Sequence, residues 1–249
     1  MVNKITSLSN SKIVEYSKLA NSKYRCESGL FLVEGEKAFE DIINNKISIR
    51  DILITDESLL SQISEQDKVT LVSEAVMKKV ASSVSAPKIL TVAEQMVYKV
   101  SDLTKQNRLL LLENISDSGN LGTIIRSAAA FEFEGIILLG DCVDMYNPKV
   151  IRSAAGNFFK IPILKIKNLT DEFNDFKIYT TYLHSDKSTY ADKIIPEKKF
   201  ILSFGSEASG LTSEFMKNSS ENVIIKTNKV ESLNLATSAA ILMYEFSKN

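Results

Sequence analysis

The sequence predicts an α/β protein made of two sheet-centred domains, and three observations carry that expectation. Short apolar runs alternate with segments of helical period along most of the chain. A polar stretch at 101–107 interrupts the pattern. The run Leu109-Leu110-Leu111-Leu112 that follows suits a parallel strand covered on both faces. With 249 residues, 44% hydrophobic and 24% charged, the chain can bury the core of one large or two small domains.

In chain order, an amphipathic opening segment carries Ile13, Tyr16, Leu19 and Ala20. It is followed by the strand-like Leu30-Phe31-Leu32-Val33 and a helix over 36–43. The alternation continues with a strand at 49–54, a short helix at 57–63, a strand at 69–72, a helix at 74–80 and a strand at 89–92. These make a small α/β domain over 1–97. Residues 98–107 read as a linker, because they offer little apolar surface to bury. A second domain over 108–249 contains helices at 120–131 and 148–154, strands at 135–139, 177–182, 200–204 and 222–225, and a closing helix at 234–246.

Composition narrows the function. No apolar run approaches the roughly 20 residues that span a bilayer, and the opening MVNKITSLSNSK lacks a secretion signal's apolar stretch, so a cytoplasmic protein without membrane contact is expected. Two cysteines, Cys26 and Cys142, and the single His184 assemble neither a disulfide framework nor a zinc site, and no metal is expected. The net charge of −1 counts against nucleic-acid binding, but total charge conceals patches. Lys12, Lys18, Lys23 and Arg25 face only Glu15 and Glu27, which fits an RNA-facing patch or a solvated helix face equally well.

Three loops of the second domain follow strand ends and are rich in Gly, Ser and Asn, where open parallel sheets place ligands. The first, 114–126, holds Gly119 and Gly122 for close backbone approach, Asn120 as a helix cap, and Arg126 in the following helix, with a stem long enough to reach back over its mouth. The second, 204–211, sets two glycines around Glu207, either an inward carboxylate or a helix-start acid. The third, 230–234, brings Ser232 and Asn234 to the start of a helix whose small residues at 236–240 allow close packing. Each feature alone has an ordinary structural explanation.

In combination, N-x-G-x-x-x-R from Asn120 to Arg126, G-S-E-x-x-G-L from Gly205 to Leu211, and Ser232-Leu233-Asn234 resemble the SpoU (TrmH) family of RNA ribose 2′-O-methyltransferases of the SPOUT superfamily, over 108–247. Arg152 to Phe159 and Ile161-Pro162 resemble a supporting segment of that family. Phe31 to Gly35 looks like the first strand and turn of an N-terminal substrate-binding domain related to kink-turn-binding ribosomal proteins. The chain departs from the family pattern at Ala208 and Asn228, where glycine is common, and at Ile224-Ile225-Lys226 in place of Ile-Pro-Met.

The resemblance implies a C-terminal domain with a parallel sheet and a deep trefoil knot, homodimers, and S-adenosyl-L-methionine held at Thr181, Gly205, Ile224 and Leu233. It implies catalytic roles for Asn120, Arg126, Glu207, Ser232 and Asn234. Arg126 is the family's candidate for activating the ribose hydroxyl. Because arginine stays protonated, the reading here is a phosphate clamp that stabilises developing oxyanion charge, with Asn120 and Ser232 positioning the hydroxyl and Glu207 holding its loop. The substrate expected is structured RNA, ribosomal (23S) ahead of transfer RNA. A silent RNA-binding assembly factor is the alternative. A dehydrogenase is disfavoured, since no G-x-G-x-x-G joins a first strand to a helix.

Overall fold

The computed structural model describes residues 2–183, 187–230 and 232–248. In order these form β1 (Asn3–Ile5), α1 (Ser11–Lys18), α2 (Ser22–Ser28), β2 (Leu30–Glu34), α3 (Glu36–Asn44), β3 (Ile49–Ile54), β4 (Val69–Val72), α4 (Glu74–Val80), β5 (Ile89–Glu94), α5 (Val100–Leu103), β6 (Arg108–Glu113), α6 (Ser118–Ala130), β7 (Gly135–Leu139), α7 (Pro148–Ser153), β8 (Ile163–Ile166), β9 (Lys177–Thr180), β10 (Thr189–Tyr190), β11 (Phe200–Phe204), α8 (Ser213–Met216), β12 (Glu221–Ile224) and α9 (Leu235–Ser247). The expected elements are present, with boundaries shifted by a residue or two. The segment at 57–62 is a 3-10 helix. The short strands β1, β8 and β10 have no counterpart in the sequence reading. The polar stretch read as a linker contains α5, whose Leu103 is fully buried.

Two compact units result, one of residues 1–96 with 144–159 and one of 97–143 with 160–249. The first centres on a five-stranded mixed sheet in the order β1-β4-β3-β5-β2. Its core gathers Ile13, Tyr16 and Leu19 from the first helical turns against Leu32, Leu53, Val76, Met77 and Leu90. Asp51 is buried on β3 and is satisfied by the Tyr16 hydroxyl at 2.9 Å, the Thr70 hydroxyl at 3.2 Å and an ion pair with Lys12. Arg25 is also buried. It donates to the carbonyls of Leu19 and Ala20 and grips Asp144 through Nε at 2.8 Å and Nη2 at 2.6 Å. Two of the four cations read as a patch are therefore spent on internal partners, because a buried charge persists only when paired.

The segment at 144–159 supplies this unit with rings. Phe31, fully buried on β2, lies 4.7 Å from the ring of Tyr146 and 6.4 Å from those of Phe158 and Phe159. Arg152, in the stretch that carried part of the family resemblance, bonds Ser82 at 2.6 Å and approaches Glu34 at 3.7 Å.

The second unit holds a seven-stranded, wholly parallel sheet in the order β10-β12-β9-β11-β6-β7-β8. Parallel strands are buried on both faces, which is why β6, β7 and β11 read as continuous apolar runs. One face packs Leu109, Leu111, Ile137, Ile178 and Ile201 against Phe173, Phe176 and Phe215. On the other, Phe200 lies between Phe133, Tyr179 and Phe246, the last from α9, with ring centroids 5.4–5.9 Å apart. Ala236 and Ala239 are buried and bring α9 close to its neighbours, among them α6 and β11, as the small residues of that helix predict.

Truncating Phe31 removes the ring around which 144–159 is packed. Phe31→Ala is expected to destabilise the first unit by about 3–5 kcal/mol, measured as a lowered denaturation midpoint at unchanged slope.

Candidate functional site

Four adjacent strands of the parallel sheet, β12, β9, β11 and β6, end at one edge, so the loops that follow them are neighbours even though they are remote in sequence. After β6 the chain turns at Asn114, which has φ +55° and whose side-chain oxygen accepts from the Asp141 amide at 2.8 Å. Asp117, not Asn120, then caps α6, accepting from the Asn120 amide at 2.7 Å. The cap lies three residues earlier than the sequence reading placed it, and this frees the Asn120 side chain. Its Nδ2 donates to Glu207 Oε1 at 2.8 Å, and its Oδ1 accepts from Asn234 Nδ2 at 3.2 Å. One carboxamide thus joins the loops after β6, β11 and β12.

Beyond β11 the chain folds into a tight loop in which Ser206 and Gly210 exchange backbone hydrogen bonds of 3.1 and 2.9 Å. Gly205 is obligatory here, since a Cβ would fall 1.9 Å from the carbonyl carbon of Gly210 and 2.0 Å from the Leu211 nitrogen. Gly210 has φ +68°. Glu207 sits at the exposed tip of this turn, and the next helix starts only at Ser213, so Glu207 serves Asn120 and not a helix dipole. The exit is latched by Glu113, which is buried at the end of β6 and accepts both the amide and the hydroxyl of Thr212 at 2.7 Å. The sequence reading passed over Glu113. An acid closing an apolar strand run, LLLLE, is the signal that could have marked it.

In the third loop Asn234 caps α9 by accepting from the Thr237 amide at 3.2 Å. Ala208 and Asn228 stand where family members often carry glycine. Neither is among the described residues with positive φ, so these loops do not need glycine there. His184 and Glu231 lie outside the described residues.

The loops after β9, β11 and β12, with the first turns of α9, enclose a pocket of about 630 Å³. Of the nine site residues read from the sequence, Thr181, Gly205, Glu207, Ile224, Ser232, Leu233 and Asn234 line it. Asn120 is joined to it through Glu207 and Asn234. Arg126 is not among its lining residues. Because α6 begins at Ser118, Arg126 falls in the third helical turn, where it is exposed and, among the described residues, has no hydrogen-bond or ion-pair partner.

The lining mixes apolar side chains, such as Phe204, Val223, Leu233 and Leu242, with hydroxyl and amide groups. Glu207 is its only charged member among the described residues. Such a wall accommodates a ligand with a flat apolar part and a positive charge, and offers no cation to a pyrophosphate. The nearby thiol of Cys142 is buried, which pushes its pKa up and keeps it unreactive. Among the described residues no group of three or more His, Cys, Asp or Glu is arranged to hold a metal ion.

Comparison with known proteins matches the same regions. A family model described as "SpoU rRNA Methylase family" matches residues 107–244, and one described as "MRM3-like substrate binding domain" matches 10–91. The chain is 30% identical over 247 residues to the 23S rRNA (guanosine(2553)-2′-O)-methyltransferase RlmP of Bacillus subtilis, covering 96% of this chain and 97% of that protein. Among solved structures, an AdoMet-bound rRNA methyltransferase from Sinorhizobium meliloti superposes with a TM-score of 0.89 at 26% identity, covering 99% and 98% of the two chains. The SpoU methyltransferase AviRb from Streptomyces viridochromogenes shares the fold, with a TM-score of 0.85 at 21% identity over 96% and 97%. With its parallel sheet, its three joined loops and more than half its length matched, this chain belongs to the SpoU rRNA methylase family.

Proposed function

We propose that this protein transfers a methyl group from S-adenosyl-L-methionine to a ribose 2′-hydroxyl of 23S ribosomal RNA. The observation that carries the reading is the hydrogen-bonded chain Glu207–Asn120–Asn234, which ties the start of α6 to two loops that line a pocket suited to a cationic, part-apolar ligand. The activity for which the Bacillus subtilis relative is named and the AdoMet-bound Sinorhizobium meliloti structure support substrate and cofactor. Residues 1–97 act as the RNA-binding domain, 98–107 as the connection and 108–249 as the methyltransferase domain; the substrate-binding family model over 10–91 supports the first of these.

The pocket fits the cofactor. Its volume lies in the range of small-molecule sites, and among the described residues its sole charged lining group is an acid. Gly205, Ile224 and Leu233 hold it largely through backbone, with Thr181 fixed beside them by a 2.9 Å bond from its hydroxyl to the Ser203 carbonyl. When bound, S-adenosylmethionine supplies an electrophilic methyl group on a sulfonium. Asn120 and Ser232 orient the ribose hydroxyl. The guanidinium of Arg126 holds the nucleotide's phosphate and stabilises charge on the ribose oxygen as its proton passes to solvent water, which asks nothing of arginine as a base. An arginine with no hydrogen-bond or ion-pair partner among the described residues is available to an RNA phosphate without breaking any of their contacts.

Activity in this fold further involves a trefoil knot in the C-terminal domain and a homodimer. The half-exposed Tyr244 of α9, next to the Phe131 ring at 5.7 Å, supports an apolar face on that side. The place of action is the cytoplasm, where ribosomal RNA is handled. No helix of the described residues is long and apolar enough to cross a membrane.

Mapping 2′-O-methyl sites in total RNA with and without the protein tests the reading, and an unchanged map of 23S rRNA would overturn it. Arg126→Ala is expected to lower turnover by about 10²–10³-fold while leaving cofactor affinity nearly unchanged in calorimetry. Equal loss of both would assign Arg126 to structure. Gly205→Ala forces the loop apart from Gly210 and is expected to abolish measurable cofactor binding, with a stability loss of about 1–3 kcal/mol read from thermal denaturation.

A further inference from the structure

We propose that Asn222, which lies outside all three loops of the family resemblance, is a positioning residue that sets the wall of the methyl-donor pocket through Tyr182. The inference rests on the assignment of that pocket to S-adenosylmethionine.

The ladder between β12 and β9 stops at the pair Asn222–Thr180. Past that point the chain leaves the sheet and becomes pocket wall, with Thr181, Tyr182 and Leu183 all lining the cavity. The backbone of Tyr182 finds a partner outside that ladder. The side chain of Asn222, buried with 7% exposure, is that partner. Its Oδ1 accepts from the Tyr182 amide at 2.9 Å and its Nδ2 donates to the Tyr182 carbonyl at 2.8 Å. The two bonds reproduce one rung of a sheet and fix which end of the carboxamide is oxygen. The remaining capacity is also used, because Oδ1 accepts from the Thr180 hydroxyl at 3.2 Å and Nδ2 donates to the Ser188 hydroxyl at 2.7 Å. All four hydrogen-bonding positions of the amide are filled, a pattern that no other side chain of this size provides.

The consequence reaches the ligand site in one step. Asn222 does not line the pocket, but Tyr182 does, and its ring rests against Gly210, 3.4 Å from where a Cβ on that glycine would stand. Gly210 in turn pairs with Ser206 in the loop that carries Gly205 and Glu207. A shift of Tyr182 is thus passed to the loop whose backbone holds the cofactor. Losing Asn222 removes two hydrogen bonds from a half-buried backbone unit, a cost concentrated at the pocket wall.

The test is calorimetry of S-adenosylmethionine on the full chain, with methyl transfer to ribosomal RNA followed in parallel. Asn222→Ala is expected to weaken cofactor affinity about tenfold or more and to raise its KM, with kcat at saturating cofactor close to the parent value. Asn222→Asp keeps the acceptor for the Tyr182 amide and loses both donations. It should fall between the two, and it carries the test alone if the alanine variant does not fold. Phe173→Leu, in the core of the same unit and away from the pocket, is the control for stability. It should lower the melting temperature without moving the cofactor KM. Parent-like affinity in both Asn222 variants, or an equal KM rise in Phe173→Leu, would overturn the inference and leave the cofactor assignment standing. A parent protein that does not bind S-adenosylmethionine would remove the assignment itself.

Discussion

The shared edge at which β12, β9, β11 and β6 end is the constraint on which the site depends. Parallel strands in register place their carboxyl ends side by side, so residues near 113, 181, 205 and 225 become neighbours before any side chain is chosen. What remains is to keep four irregular loops from wandering. Asn120 does this from the solvent side and Glu113 from the buried side, each joining the loop after β6 to the one after β11. The two differ in kind. Glu113 is a buried carboxylate satisfied by a single residue, a fixed latch, while Asn120 lies at the solvent-exposed side, between Glu207 and Asn234.

Much of the sheet was legible in the sequence because the fully buried strands had no alternation to obscure them. LLLL at 109–112 is apolar from end to end, and FILSF at 200–204 is broken only by Ser203, as suits strands covered on both faces. The short strands β1, β8 and β10 escaped because two to four residues carry too little periodicity to distinguish them from coil. The site residues were legible only in combination. No spacing rule links 120, 207 and 234, and it was the resemblance of three loops to one family that grouped them.

Sequence reasoning erred where a local interpretation was available and a tertiary one took its place. Asn120 looked like a helix cap because Asn favours caps, but Asp117 occupies that position and leaves the carboxamide to bridge loops. Arg25 looked like a surface cation beside three lysines. Its partner Asp144 lies 119 residues away, and no window of local pattern contains both. Asn222 was invisible for a related reason, since an asparagine inside a strand-like run carries no signature of the backbone segment it will clamp.

That separation between Arg25 and Asp144 bears on how the chain acquires its structure on the ribosome. The first unit needs 144–159, yet residues 97–143, which belong to the second, are synthesised in between. Until Asp144 and the rings of Tyr146 and Phe158 emerge, a guanidinium meant for the interior lacks its carboxylate and Phe31 lacks the rings that pack on it. The amino-terminal unit therefore completes its packing only after more than half of the polypeptide has been made, with a stretch of the second unit already synthesised between its two segments.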